Sequence, residues 1–151
     1  MPRHLHVACA IIERDGLILA ARRQPGLSMA GKWEFPGGKI QDGESAAEAL
    51  RRELREEMAV EVEVVAALPT HTHHYPGTAR LQPGSDPELP GWSPAVPGFT
   101  VTLYPFRCRL VGLAGDLHST DHDALTWLPP GRLPELDWAE ADAPIILGIK
   151  I

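Results

Sequence analysis

The sequence predicts an α/β domain on a mixed β-sheet, and three observations carry that prediction. The chain opens with an apolar, β-branched hairpin. One capped, highly charged helix follows. Two further strand-like stretches are then separated by a long excursion rich in proline and glycine. At 151 residues the expectation is one domain over 1–151, long enough to bury roughly 70% of its unfolded surface.

Leu5 to Ile12 and Leu17 to Ala21 are apolar and partly β-branched, with Glu13-Arg14-Asp15-Gly16 supplying a hairpin turn. Arg22 to Ile40 contains Pro25-Gly26, Gly31 and Pro36-Gly37-Gly38, which predicts a loop ending in a short strand. Ser45-Ala46-Ala47-Glu48 fits a capping box, and helix-forming residues continue to Met58. Val60 to Leu68 reads as a buried strand, and Thr100 to Val111 as another. Between them, Pro69 to Phe99 holds too many breakers for a helix or a central strand. Ala124 to Leu128 is predicted as a short strand and Pro129 to Leu136 as a turn or short helix. Asp142 to Lys150 is predicted as a final helix with Pro144 in its first turn.

Composition narrows the function classes. With 44% apolar and 23% charged residues and no apolar run near membrane-spanning length, the sequence predicts a soluble protein with no membrane partner. Met1 to His6 carries no export or organelle pattern, so a cytoplasmic location is expected. Cys9 and Cys108 each lie in an apolar stretch, as buried reduced thiols do. A net charge of −6 argues against a polymeric nucleic acid as partner, whereas a small phosphorylated ligand remains compatible if a metal offsets local acidity.

The segment Arg52-Glu53-Leu54-Arg55-Glu56-Glu57 concentrates chemistry. On a helix, Glu53 and Glu57 stand one turn apart with Glu56 beside them, so three carboxylates share a face. Such a face is either solvated and compensated by Arg51, Arg52 and Arg55, or a set of hard oxygen ligands for Mg²⁺. The helix alone does not separate the two.

The wider spacing adds Gly38, five residues, Glu44, seven residues, and then Arg52 to Val60. This pattern, at 38–60, resembles the Nudix box, the signature of the Nudix hydrolase family. Ile11-Ile12-Glu13-Arg14-Asp15-Gly16 and Trp33-Glu34-Phe35-Pro36-Gly37-Gly38-Lys39 are similar to the MutT-like branch, which cleans nucleotide pools. The resemblance covers nearly the whole chain except the insertion at about 69–99. It implies an α/β/α sandwich with a mixed central β-sheet, the carboxylate helix on one side and the C-terminal helix on the other. One position departs from the pattern: Ala59 stands where the family has Gly, so the turn is expected either to carry about 1 kcal/mol of strain or to be built differently.

Residue by residue, the resemblance implies that Glu53, Glu56, Glu57 and the Gly38 carbonyl hold Mg²⁺, with Mn²⁺ able to substitute. Glu44 and Arg52 would orient those ligands. An acidic residue six positions before a late Trp, here Asp121 before Trp127, would bind metal or activate water; Asp123 is its neighbouring competitor. The implied reaction is in-line attack by a metal-activated water on a nucleoside triphosphate, at the β phosphorus, giving the monophosphate and pyrophosphate. Glu53, Glu56 and Asp121 are the candidate catalytic carboxylates, with Glu53 or Asp121 as final proton acceptor.

For the substrate, the resemblance implies Arg23 reaching the nucleotide, Lys39 meeting a phosphate, Phe35 lining the base pocket and Asp142 reading the base edge. An ionised carboxylate at Asp142 would accept hydrogen bonds from an amino group or ring N–H; capping the last helix is its plainer role. Asp142 and the run His122-Asp123-Ala124-Leu125-Thr126-Trp127 are shared with the branch's cytidine triphosphate pyrophosphatases, so CTP or dCTP stands beside 8-oxo-dGTP. The rival readings are a Nudix hydrolase of another nucleoside diphosphate derivative such as ADP-ribose, and a non-catalytic nucleotide-binding Nudix protein. A monomer or a homodimer is expected. His71, His73 and His74, with no nearby Cys pair or HExxH pattern, are expected at a rim rather than around zinc.

Overall fold

A computed structural model describes residues 3–25, 30–76, 98–112 and 117–149. The expectations that fall on 26–29, on 77–97 of the insertion and on Lys150 lie outside the described residues.

Strand β1 (Arg3–Arg14) turns through Asp15 and Gly16, at φ 53° and 77°, into β2 (Leu17–Arg23). A two-residue turn with both φ positive matches the twist of the strands it joins, which is why the Asp-Gly pair sits there. Then come β3 (Trp33–Glu34), β4 (Gly37–Lys39), helix α1 (Ala46–Met58), β5 (Val62–Ala67), β6 (His71–Tyr75), β7 (Phe99–Leu110) and β8 (His122–Leu128). A 3-10 turn (Pro130–Glu135) and the short helix α2 (Ala143–Leu147) complete the described chain.

The sheet is mixed, in the order β3-β2-β1-β7-β5. β1 runs parallel to β7 from Arg3 to Glu13 and antiparallel to β2 and β4, while β8 pairs antiparallel with β2. Alternation along β1 sorts its side chains into two cores. Cys9 and Ile11 join Leu133, Trp138 and Ile145 under the 3-10 turn and α2. Ala8, Ala10 and Ile12 meet Leu50, Leu54 and Met58 of α1. The sandwich layers follow from this pattern, and each buried leucine stabilises it by about 1.5–3 kcal/mol. Cys9 and Cys108 are buried, unpaired, and in different cores.

Three features differ most from expectation. The insertion begins with a strand, because β6 pairs with Phe99–Leu103 and continues the line of β5 along the same side of β7. Its polar composition suits that edge, since only one face of it packs. β5 is half exposed rather than buried, with Val65 43% accessible. α2 has five residues and stops at Gly148, though Pro144 does lie in its first turn. Among the described residues, no helix is long and apolar enough to cross a membrane.

Candidate active site

Helix α1 starts where Ser45 Oγ accepts the Glu48 N–H at 3.1 Å. It ends at Ala59, which takes the left-handed conformation (φ 55°, ψ 37°) and donates its N–H to the last-turn carbonyls. The turn is therefore built in the glycine-like geometry, with alanine bearing the strain.

Four apolar residues, Ala49, Leu50, Leu54 and Met58, anchor the helix to the sheet. The acidic face is thereby turned toward the β4 loop. Arg52 organises that face with its whole guanidinium. Nε and Nη2 grip Glu44 at 2.8 and 2.9 Å, Nη1 reaches Glu53 at 2.9 Å and Glu56 at 3.3 Å, and Nη2 also donates to the Lys39 carbonyl at 3.0 Å. Arg52, with the Gln41 N–H assisting, draws the Glu44 carboxyl down to about 2. The guanidinium thus joins helix and loop in the bidentate manner that suits arginine.

Gly38 lies directly against Glu53, and a Cβ at residue 38 would overlap the Glu53 carboxylate. At Gly37 a Cβ would overlap the Ala8 carbonyl of β1. The glycine pair is thus a requirement of close approach.

Glu57 is the unusual carboxylate. Its Oε2 is buried without a hydrogen-bond partner. Burial first, then neighbouring Asp121, Glu53 and Glu34, push its carboxyl up to about 9. Asp121 is brought there by backbone ties: the Thr120 N–H donates to the Glu57 carbonyl at 3.1 Å, and the Gln24 N–H to the Asp121 carbonyl at 3.2 Å. Asp123, its competitor in sequence, is ion-paired with Arg22 at 2.8 Å. Among the described residues, no group of three carboxylate, histidine or cysteine side chains is already arranged to hold a metal, since Glu53 and Glu56 both face Arg52.

A cavity of about 210 Å³ opens between β4 and the Ala139–Asp142 segment, lined by Arg23, Glu34, Phe35, Lys39, Tyr75 and Asp142 among others. Asp142 is buried and does not cap α2. Instead its Oδ2 accepts the Phe35 N–H at 3.0 Å. Burial, with Glu34 adding to it, raises the Asp142 carboxyl to about 8. So raised, the carboxyl favours its protonated form at neutral pH, which adds an O–H donor to the acceptor role that the sequence reading gives an ionised group. Phe35 borders the cavity but is 2% exposed and packs on Trp138 with ring centres 4.6 Å apart, so its ring belongs mainly to the core. Lys39 is exposed at the rim.

Two residues of the site are marked by the sequence only as members of family-like runs, with no role of their own. Glu34 lies between the two ends, acting electrostatically on both Glu57 and Asp142, and its Oε2 meets Arg23 Nη1 at 3.5 Å and His122 Nε2 at 2.8 Å. His122, which the sequence singles out only as part of a family-like run, has a side chain 1% exposed. No local signal foretells either contact. Of the β6 histidines, His73 meets Glu140 at 3.0 Å and His74 meets Thr100 at 3.1 Å.

This geometry has close relatives among known proteins. The family profile described as NUDIX domain matches residues 2–148. A CTP pyrophosphohydrolase of Escherichia coli is 35% identical over 142 residues, covering 94% of this chain and 88% of that protein. An 8-oxo-dGTP diphosphatase of Proteus vulgaris is 39% identical over 75 residues, covering 49% of this chain and 67% of the other. Among solved structures, the E. coli ORF135 protein superposes with a TM-score of 0.68 at 32% identity, covering 97% of this chain and 88% of that one. A MutT Nudix hydrolase of Burkholderia pseudomallei, 22% identical, shares the fold with a TM-score of 0.66, covering 98% of this chain and 99% of that one.

Proposed function

The chain belongs to the Nudix hydrolase family, in its MutT-like branch, and from that premise we propose that it is a Mg²⁺-dependent nucleoside triphosphate pyrophosphohydrolase releasing a monophosphate and pyrophosphate. The observation that carries the reading is the buried Glu57 oxygen without a hydrogen-bond partner beside Asp121, on the far side of Glu34 from the cavity that Asp142 lines. A buried carboxylate oxygen with no donor, among three other carboxylates, suits a divalent cation far better than it suits a dry protein interior. The residues present therefore fit the metal.

Glu53, Glu56, Glu57, Asp121 and the Gly38 carbonyl would hold the ion. When bound, it supplies charge neutralisation on the phosphates and acidifies an attacking water. Arg52 and Glu44 keep Glu53 and the β4 loop in register, and Arg23 and Lys39 at the cleft mouth meet the nucleotide's negative charge. Glu53 or Asp121 accepts the proton released by the water. The cavity has room for a heterocycle, and the neutral acid at Asp142 offers it a donor. A ring nitrogen or carbonyl acceptor such as cytosine presents suits that donor, and the likeness to a CTP pyrophosphohydrolase supports the same base.

The test is hydrolysis of CTP, dCTP, 8-oxo-dGTP and ADP-ribose with Mg²⁺, resolving monophosphate, pyrophosphate and phosphate. Pyrophosphate released from a triphosphate, and lost on chelation, is expected. Turnover of ADP-ribose alone, or of nothing, refutes the proposal.

A further inference from the structure

The β2–β8 pairing shifts register at its end. Arg22 pairs with Ala124 but Arg23 pairs with His122, so Asp123 is the extra residue of a bulge. Bulges re-aim side chains. Here Asp123 turns outward to Arg22 while the His122 ring goes inside.

Both ring nitrogens are engaged. Nε2 lies 2.8 Å from Glu34 Oε2, and Nδ1 lies 2.6 Å from Ser119 Oγ, which also accepts the Asp121 N–H at 3.3 Å. A neutral imidazole with its hydrogen on Nε2 satisfies every atom: Nε2–H donates to Glu34, and the Ser119 hydroxyl donates to Nδ1 while accepting from Asp121. The ring thereby bridges two segments of the site. One is β3, whose Glu34 borders the base end beside Arg23 and Asp142. The other is the loop whose Asp121 stands beside Glu57.

We propose that His122 is a positioning residue that fixes Glu34 at the nucleotide-recognition end and the Asp121 loop at the phosphate end, so that the two ends are set as one unit. The proposal rests on the function proposed above. It assigns His122 no contact with substrate. Loss of the ring frees Glu34 to swing toward Arg23 and loosens the loop, so binding and turnover fall by separable routes.

The test combines CMP affinity, measured by calorimetry without metal, with kcat for CTP in Mg²⁺. His122→Ala is expected to weaken CMP roughly tenfold and lower kcat roughly tenfold, with His122→Gln recovering the affinity to within about threefold. Ser119→Ala, cutting only the loop side, should lower kcat and leave CMP affinity unchanged. In a Glu34→Ala background, His122→Ala should change CMP affinity by less than about twofold. The proposal is overturned if His122→Ala matches wild type in both readouts, or if its effect on affinity is equally large without Glu34. If His122→Ala does not fold, His122→Gln and Ser119→Ala decide the matter, because Ser119→Ala must still separate kcat from affinity. A wild type inert toward CMP and CTP contradicts the cytosine reading alone, and the same cycle with 8-oxo-dGMP and 8-oxo-dGTP then judges His122. A wild type that hydrolyses neither triphosphate overturns both proposals.

Discussion

The carboxylate of Glu53 occupies the space that a side chain at residue 38, now Gly38, would need. Gly38→Ala must therefore displace Glu53 from Arg52 or push β4 away from α1. A shift of about 1 Å at a reacting site can cost about 100-fold, so kcat/KM is expected to fall by at least that much. Circular dichroism should show a folded protein; normal activity in Gly38→Ala would mean that the contact is not functional.

Arg52→Lys keeps the charge but loses the planar fork that holds Glu44, Glu53, Glu56 and the Lys39 carbonyl. Hydrolysis should drop about 10–100-fold. The paired Glu44 gives a separate signature. Its folded pKa, about 2, lies below the unfolded value of about 4.3, so its stabilising effect is present above that unfolded value and disappears as pH falls toward 2. Melting curves of Glu44→Gln should therefore depend less on pH than those of wild type between about pH 5 and about pH 2.

Asp142 has the opposite sign. Its pKa rises to about 8 on folding, so stability is complete below the unfolded value of about 4 and declines as pH rises from there toward 8 and beyond, where the unfolded state holds fewer protons. Asp142→Asn keeps an acceptor for the Phe35 N–H and cannot ionise. At about pH 9 it should exceed wild type by more than about 1.4 kcal/mol, the worth of one pKa unit, and the difference should shrink toward about pH 5. Equal denaturant midpoints at the alkaline end would contradict the burial argument.

Glu57→Gln replaces a buried carboxyl, raised to about 9 and so obliged to take up a proton on folding without metal, by an amide that never ionises. Without metal the variant should melt at or above the wild-type temperature. Mg²⁺ should raise the melting point of wild type by mass action and leave the variant unmoved. An equal Mg²⁺ response in both proteins would remove Glu57 from the proposed ligands.

Ala59→Gly replaces the left-handed alanine at the end of α1 with the residue that geometry favours. A gain of about 1 kcal/mol is expected from thermal melts, with turnover unchanged. No gain would show that the unfolded-state entropy of glycine offsets the relieved strain.

What the sequence disclosed follows from the range of each interaction. The Asp15-Gly16 hairpin, the Ser45 cap and the spacing of the α1 carboxylates are local, so composition and periodicity exposed them. β6 was hidden because His71–Tyr75 has no apolar alternation and gains its place only by pairing with β7. The positions of Glu34 and His122 depend on a bulge that brings residues 88 apart in sequence into contact. Capping was the plainer of the two roles the sequence offered for Asp142, because it precedes α2, whereas tertiary packing turns it toward Phe35.

Along β1 the odd residues Cys9 and Ile11 belong to the α2 layer and the even residues Ala8, Ala10 and Ile12 to the α1 layer. The sheet thus separates the packing beneath the α1 carboxylates from the packing around Ala139–Asp142. Under the proposed function, side chains around Ala139–Asp142 and Tyr75 can change to admit another heterocycle without repacking Leu50 or Leu54 beneath the carboxylates. A substitution in one layer's packing therefore leaves the other layer's packing in place, and the Glu34–His122 contact is what still ties the two ends of the site together.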